Sequence, residues 1–565
     1  MTMPMTLPTP PLLTRRGALA AAVSALAWRP AFAAVDVAGA EQADALHVLN
    51  RLAFGPAPGD LERVAGMGAS AWIAEQLHPE RLALPSWLVS QLATLRTPDK
   101  TQRELLQQYR EMAKEAKEAR QAETTGADGT KAQTEQGAER RRQVAAVALE
   151  AGEERLLQAL ASPRQLEEVL VDFWFNHFNV FQGKGQVRVL VESYEREAIR
   201  PHVLGRFRAM LGATAKHPAM LFYLDNWLSV APGFQPRRGG GGAGKASGLN
   251  ENYAREVMEL HTLGVEGGYT QQDVTELARM LTGWTLEPER PRRRRFIDGM
   301  DNTASGHGDS IFAFDPERHD NGSKQWLGNR VTPRGQMEGE FALDVLARHP
   351  ATARHLAFKL ARRFVADAPP PALVERLAQR FLDTDGDLRA VMQALLESRE
   401  FHDPQPAKFK IPYQFVLSSV RASGIVTTNV RPLMAQLTQL GQPLYGCQTP
   451  DGWHDTEADW LNPNAITQRV NFATALASGR LPLQRIDDPA APDGGANGMK
   501  AMERQSERAI NRDQPVEGST PPVDAGALLA TLGPAISDKT RAAVAGSQPA
   551  LQAALVLGSP DFMRR

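Results

Sequence analysis

Residues 249–285 read LNENYAREVMELHTLGVEGGYTQQDVTELARMLTGWT, and their spacing predicts two helices joined by a glycine turn. At 100° per residue, Tyr253, Val257, Leu260 and Gly264 share the core face of the first helix. Asn252, Glu256 and Glu259 form a polar stripe along one edge, and His261 lies on the other. Glu251, Arg255 and Glu259 stand four apart, the spacing of an ion-pair ladder. Asn250 is placed to cap the helix and Gly264 to end it, with Gly267-Gly268 as the turn. Thr270 and Asp273 then offer a capping box to a second helix, whose Val274, Leu277, Ala278 and Leu281 keep helical spacing.

Glu256, Glu259 and His261 bring carboxylate and imidazole together, the chemistry of a metal or acid/base site. Glu259 and His261 are two apart and do not share a helical face. The competing reading is a hydrogen-bonded polar network that ties two helices together.

Outward from this stretch, helical periodicity continues almost everywhere. The chain is expected to be all-α, a large multi-helix domain at 41–480 with long irregular loops. The span 100–161 is charged and breaks at TTGADGTKAQTEQG (124–137), which predicts a projecting helical hairpin. LEEVLVDFWFNHFNVF (166–181) is apolar nearly all round and predicts a central buried helix. Asp172, Asn176 and Asn179 form one polar stripe on it, with His177 elsewhere, and buried groups of this kind need partners. A later helix carries Glu195 and Arg196. FDPERHDNGSKQWLG (314–328) reads as a loop or short hairpin holding His319, Asp320 and Lys324.

Two familiar loops are rejected. PRRGGGGAGKASG (236–248) mimics a phosphate-binding loop, but Ala246 stands where a magnesium-binding hydroxyl belongs and no strand precedes it. Asp383, Asp385 and Asp387 suggest a calcium loop, but Ala394 replaces the bidentate glutamate, so Asp387 reads as a helix cap. The run RPRRRR (290–295) is a local basic loop. Residues 486–523 read as a flexible linker, and 524–565 as a helical segment that packs on the core.

The formal net charge is -1, from 64 basic and 65 acidic residues, which gives no electrostatic footprint for nucleic acid. The single Cys447 excludes an internal disulfide and a cysteine-rich metal site. Residues 1–34 read as an export signal: Arg15-Arg16, the apolar run ALAAAVSALAW, and an A-x-A pattern ending at Ala33. The arginine pair fits twin-arginine export, although Gly17 and Ala18 stand where a bulky residue is usual. A periplasmic or secreted location follows, with no stable membrane span in the mature chain.

RLAFGP, DFWFNHFNVF, YEREAIRPHVLGRF, HPAMLFYLDN, the 249–284 stretch, HDNGSK and LGSPDF together resemble a bacterial family, domain of unknown function 1800. The resemblance covers nearly the whole mature chain and implies a helical, often exported protein without an activity to carry over. It also implies a partner from a second exported family, domain of unknown function 1501, similar to the alkaline phosphatase and sulfatase group. The matching motifs concentrate polar residues: Asn176, His177, Glu195, Arg196, Asn252, Arg255, Glu256, Glu259, His261, His319, Asp320 and Lys324. The first expectation is a binding or assembly factor with a Glu/His-lined centre that holds a ligand or a divalent metal. The rival is a metal-assisted or carboxylate-based hydrolase using Glu256, Glu259, His261 and His177.

Overall fold

The computed structural model describes residues 37–125, 131–235, 248–287, 310–403, 408–484 and 518–565. The export signal, nearly all of the glycine loop, the basic run and most of the 486–523 linker lie outside the described residues. Helix accounts for 61% of the chain and strand for 4%, so the fold is all-α.

The helix Gln165–His177 runs through the centre, and eleven of its thirteen residues are buried. An all-round apolar sequence leaves no solvent face, so neighbouring elements enclose it on every side. Around it lie the helices Val37–Leu52, Ala69–Gln76, Lys131–Ala161 and Phe207–Lys216, among others.

In the 249–285 stretch both helices form, but the first spans only Asn252–Glu259 and stops five residues short of Gly264. The backbone turns at Leu260, where the amides of Leu260 and His261 both reach the carbonyl of Glu256, at 2.9 and 3.1 Å. The Thr262 hydroxyl donates to the Val257 carbonyl at 2.6 Å, which satisfies a helix end that would otherwise be orphaned. His261 therefore sits in a turn rather than on a helix edge, and the chain enters the core there. Asn250 accepts from the Asn252 amide at 2.9 Å, just ahead of the helix. Gly264 has φ +82°, and a Cβ there would meet the His355 ring at 3.0 Å, so a glycine is required. The capping box of Thr270 and Asp273 is fully formed on Gln271–Leu281.

The charged hairpin consists of Gln102–Thr125 and Lys131–Ala161, so the break between the helices is shorter than TTGADGTKAQTEQG suggests. Gln133 to Gly137 stays helical, since Gln and Glu are good helix formers and one glycine is tolerated. The inner end of the second helix buries Val144, Val147, Leu156 and Leu157 and carries Arg155 into the core.

Two small antiparallel pairs interrupt the helices: Trp284–Leu286 with Phe312–Phe314, and Lys324–Trp326 with Asn329–Val331. The second is a hairpin within and beyond 314–328, turned by Leu327 and Gly328, both at positive φ as its two-residue turn demands. Asp387 caps Leu388–Leu396 by accepting from the Ala390 amide at 3.0 Å. The last helix, Pro549–Leu557, packs on Pro463–Ala477. Beyond it, Arg565 and Lys408 exchange backbone hydrogen bonds of 2.8 and 3.0 Å. Among the described residues no helix is long and apolar enough to cross a membrane.

Candidate functional site

A cavity of about 400 Å³ opens at the C-terminal end of the central helix. One wall is that helix, through Asp172, Asn176 and His177; a second is Pro350–Phe364, through Lys359, Arg362 and Arg363. Residues three and four apart lie on one helical face, which brings all three cations to the same side. The roof is the aromatic loop at 442–459. Asn176 pins it by donating to the Trp453 carbonyl at 2.9 Å and accepting from the Trp453 amide at 2.7 Å. Asn179 donates to the carbonyls of Cys447 and Thr449, at 3.1 and 2.8 Å. Gly452 makes this close approach achievable, because a Cβ there would lie 2.3 Å from the Asn176 carbonyl oxygen.

Beneath the cavity runs a network of buried charges. Arg155 donates to Asp172 at 2.8 Å and to Glu195 at 3.1 Å, and its guanidinium stands 5.1–5.3 Å from the rings of Phe175, Tyr413 and Tyr445. Asp172 also accepts from Arg363 at 2.8 Å, and Glu195 from the Tyr445 hydroxyl at 2.9 Å. Arg200 completes the set with Glu168 at 2.7 Å and Glu195 at 3.2 Å. Burial works against the charge on Arg155, but Glu195, the two tyrosines and Asp172 outweigh it, and its pKa rises well above the ordinary value. Buried ions need such pairing, so this layer is a charge-balanced floor.

Lys359 and Arg362 have a different environment. Lys359 Nζ donates to His177 Nδ1 at 2.9 Å. His177 Nε2 lies 3.1 Å from the His261 carbonyl and must donate to it, which leaves Nδ1 as the acceptor and sets the tautomer. The His177 ring lies 6.1 Å from that of His261 and 6.2 Å from that of His355. Burial, then the charge of Lys359, pushes His177 well below the usual imidazole range, His261 to about 3 and His355 to about 4. All three rings are neutral at neutral pH. Lys359 is itself lowered to about 8 by burial and by Arg362, with Asp451 opposing. Arg362 lies over the Phe358 ring at 4.4 Å, and its buried Nε has no hydrogen-bond partner among the described residues. Among the described residues, no carboxylate stands within ion-pair distance of either cation.

The twelve sequence candidates separate into distinct groups. Asn176 and His177 line the cavity, His261 packs behind His177, and Glu195 belongs to the floor. Arg196 follows Glu195 on the π-helical turn Tyr194–Ile199 but pairs away from the site, with Glu192 at 2.8 Å and Glu197 at 2.9 Å. Asn252 donates to the Leu224 carbonyl at 3.4 Å, and Arg255 meets Glu251 at 3.5 Å. Glu259 accepts from the Tyr269 hydroxyl at 3.3 Å rather than completing the ladder with Arg255. Glu256 is half-buried and is not part of the cavity wall; burial, then Glu259, holds its carboxyl above the usual range, with Asp451 adding to the effect. Of Glu256, Glu259, His261 and His177, only His177 lines the cavity.

His319, Asp320 and Lys324 form a separate clasp. His319 lies 2.8 Å from the Thr282 carbonyl and 3.0 Å from Glu338, which also accepts from Lys324 at 2.6 Å. Asp320 pairs with Arg279 at 2.8 Å. Burial works against the Glu338 carboxylate, but bonds from His319, Lys324 and the Arg334 amide outweigh it and hold it below the usual range. Every charge there is matched, and the clasp fastens the hairpin to Gln271–Leu281 and Met337–Ala347.

The residues do not fit a divalent ion. Both ring nitrogens of His177 are committed, to Lys359 and to a backbone carbonyl. Among the described residues no three His, Cys, Asp or Glu side chains converge as a ligand set.

Sequence reasoning missed Lys359, Arg362 and Arg155. FKLARRF (358–364) reads as an ordinary amphipathic helix with a basic last turn, and nothing local tells an inward cation from a solvated one. A family model described as "Protein of unknown function (DUF1800)" matches residues 47–564. No curated protein and no solved structure matches the chain.

Proposed function

The chain belongs to the DUF1800 family, and from that premise and the cavity's geometry we propose that it is an exported binding protein for a small organic anion. One observation carries this reading: Lys359 and Arg362, a helical turn apart on the cavity wall, have no carboxylate within ion-pair distance among the described residues. A cation held out of bulk water without a counter-ion is costly, and a bound anion removes that cost. The volume of about 400 Å³ suits a small molecule, and Phe173, Tyr413 and Trp453 supply apolar surface around the charged end. Asp451 and Asp459, at the roof, suit hydroxyl or ammonium groups at the ligand's other end.

Titration calorimetry against carboxylates, phosphate and sulfate tests the proposal. Binding of at least one carboxylate is expected, weakened about thirtyfold or more in the Lys359→Ala, Arg362→Ala double variant, since a desolvated charge pair is worth ~2 kcal/mol or more. Failure of every anion, or equal binding by the folded double variant, would overturn it. Export rests on the Arg15-Arg16 segment and is tested by N-terminal sequencing of protein recovered outside the cytoplasm, which should begin just after Ala33. A partner from the domain of unknown function 1501 family is tested by co-purification from that same fraction.

A further inference from the structure

Most buried or half-buried lysines of known environment in this molecule meet a carboxylate. Lys324 meets Glu338 at 2.6 Å, Lys408 meets Asp367 at 2.5 Å, and Lys184 meets Asp225 at 2.7 Å. Lys359 meets the Nδ1 of a neutral imidazole instead, on the wall of a cavity, one turn before a second cation. An ammonium locked to a carboxylate keeps its proton and cannot attack, whereas an amine beside a neutral acceptor and another cation can lose it.

We infer that Lys359 is a nucleophile that forms an imine with the carbonyl carbon of a 2-oxo acid held in the cavity. This rests on the anion-binding reading above and names the class of anion. Arg362, three residues on, is the anchor for the carboxylate, and the keto group next to that carboxylate then lies within reach of Nζ. The neutral amine attacks the keto carbon; the C–N bond forms as the C=O π bond opens, and one N–H proton passes to the oxygen through His177 Nδ1. The second N–H proton follows by the same route as the hydroxyl leaves as water and C=N forms, so amine and ketone give imine and one water, with no oxidant or reductant consumed. His177 is placed for this relay because its other nitrogen is already committed to the His261 carbonyl. The lowered Lys359, at about 8, supplies the reactive neutral amine at neutral pH.

Lys410 is an internal control. It is buried, lowered to about 7 by burial and then by Arg565 and Arg469, and stands over the Phe562 ring at 3.8 Å, off the cavity wall. The full chain is incubated with pyruvate, reduced with cyanoborohydride and mapped by peptide mass spectrometry, while calorimetry measures binding of lactate, which has no keto group. The expected result is a single reduced adduct on the peptide carrying Lys359, lost in a folded Lys359→Arg variant, together with lactate binding by the unmodified chain. Lactate binding without an adduct at Lys359, or with adducts spread to Lys410 and surface lysines, overturns the imine and leaves the anion reading standing. Absence of both adduct and lactate binding overturns the imine, and the anion reading falls with it only if the other carboxylates, phosphate and sulfate fail to bind as well.

Discussion

At the scale of single residues, the buried floor decides how the site tolerates change. Asp172 holds two arginines at 2.8 Å each, so Asp172→Asn leaves Arg155 and Arg363 short of one negative charge inside the protein. Breaking a buried pair in this way costs about 3–5 kcal/mol. Denaturant unfolding should show that loss for Asp172→Asn, while Glu256→Gln, at a half-buried carboxyl off the cavity, shows a much smaller one. The buried imidazoles set the response to acid. His217 and His261 are both lowered from 6.5 to about 3, chiefly by burial. The unfolded chain protonates each near pH 6.5 and the folded chain only near pH 3, so the unfolded state binds more protons in between. Stability therefore falls as pH drops through that window, by about 1.4 kcal/mol per pH unit for each histidine. Unfolding curves at pH 6.5, 5.5 and 4.5 should show a slope smaller by about that amount in His217→Gln.

At the scale of elements, the clasp around Glu338 predicts localised loosening. Glu338→Ala strands the buried Lys324 ammonium and frees His319 and the Arg334 amide. Amide exchange should quicken in the hairpin Lys324–Trp326 and Asn329–Val331 and in the preceding loop, with the central helix Gln165–His177 unaffected. The same elements mark what the sequence discloses. Periodicity revealed the central helix, because a segment apolar on all sides has one stable placement. Short-range chemistry revealed the Thr270–Asp273 box and the Asp387 cap, whose partners lie within a few residues. The early end of Asn252–Glu259 was hidden, since it depends on a threonine hydroxyl reaching back to Val257. HDNGSK concentrates polar groups as a catalytic loop would, and only the position of Glu338 shows them to be matched internally. The cavity was hidden for a stronger reason: Arg155, Asp172, Lys359 and Asp455 meet across hundreds of residues, and no local pattern encodes that meeting.

At the scale of the whole molecule, the C-terminal segment is part of the support for the site. Arg565 donates to the Arg363 carbonyl at 2.9 Å, and Phe562 is buried against Phe415 at 5.9 Å. Deleting residues 562–565 removes that support together with a core phenylalanine, at about 3–5 kcal/mol for the ring alone. The shortened chain should melt earlier and bind the proposed anion more weakly, measured by calorimetry on the same preparation. The walls of the cavity also fix when it can come into being. Arg155 and Asp172 emerge early in synthesis, Lys359 and Arg362 follow about two hundred residues later, and the roof at 442–459 comes later still. At roughly 5–20 residues per second, Asp172 waits many seconds for the helix that carries Arg363. A nascent chain therefore passes through a long interval in which Asp172 lacks one of its two partners and no enclosed site exists. The enclosed cavity exists only in a chain whose residues through Asp459 have left the ribosome and docked, so occupancy by the proposed ligand would mark a chain in which the roof has already closed.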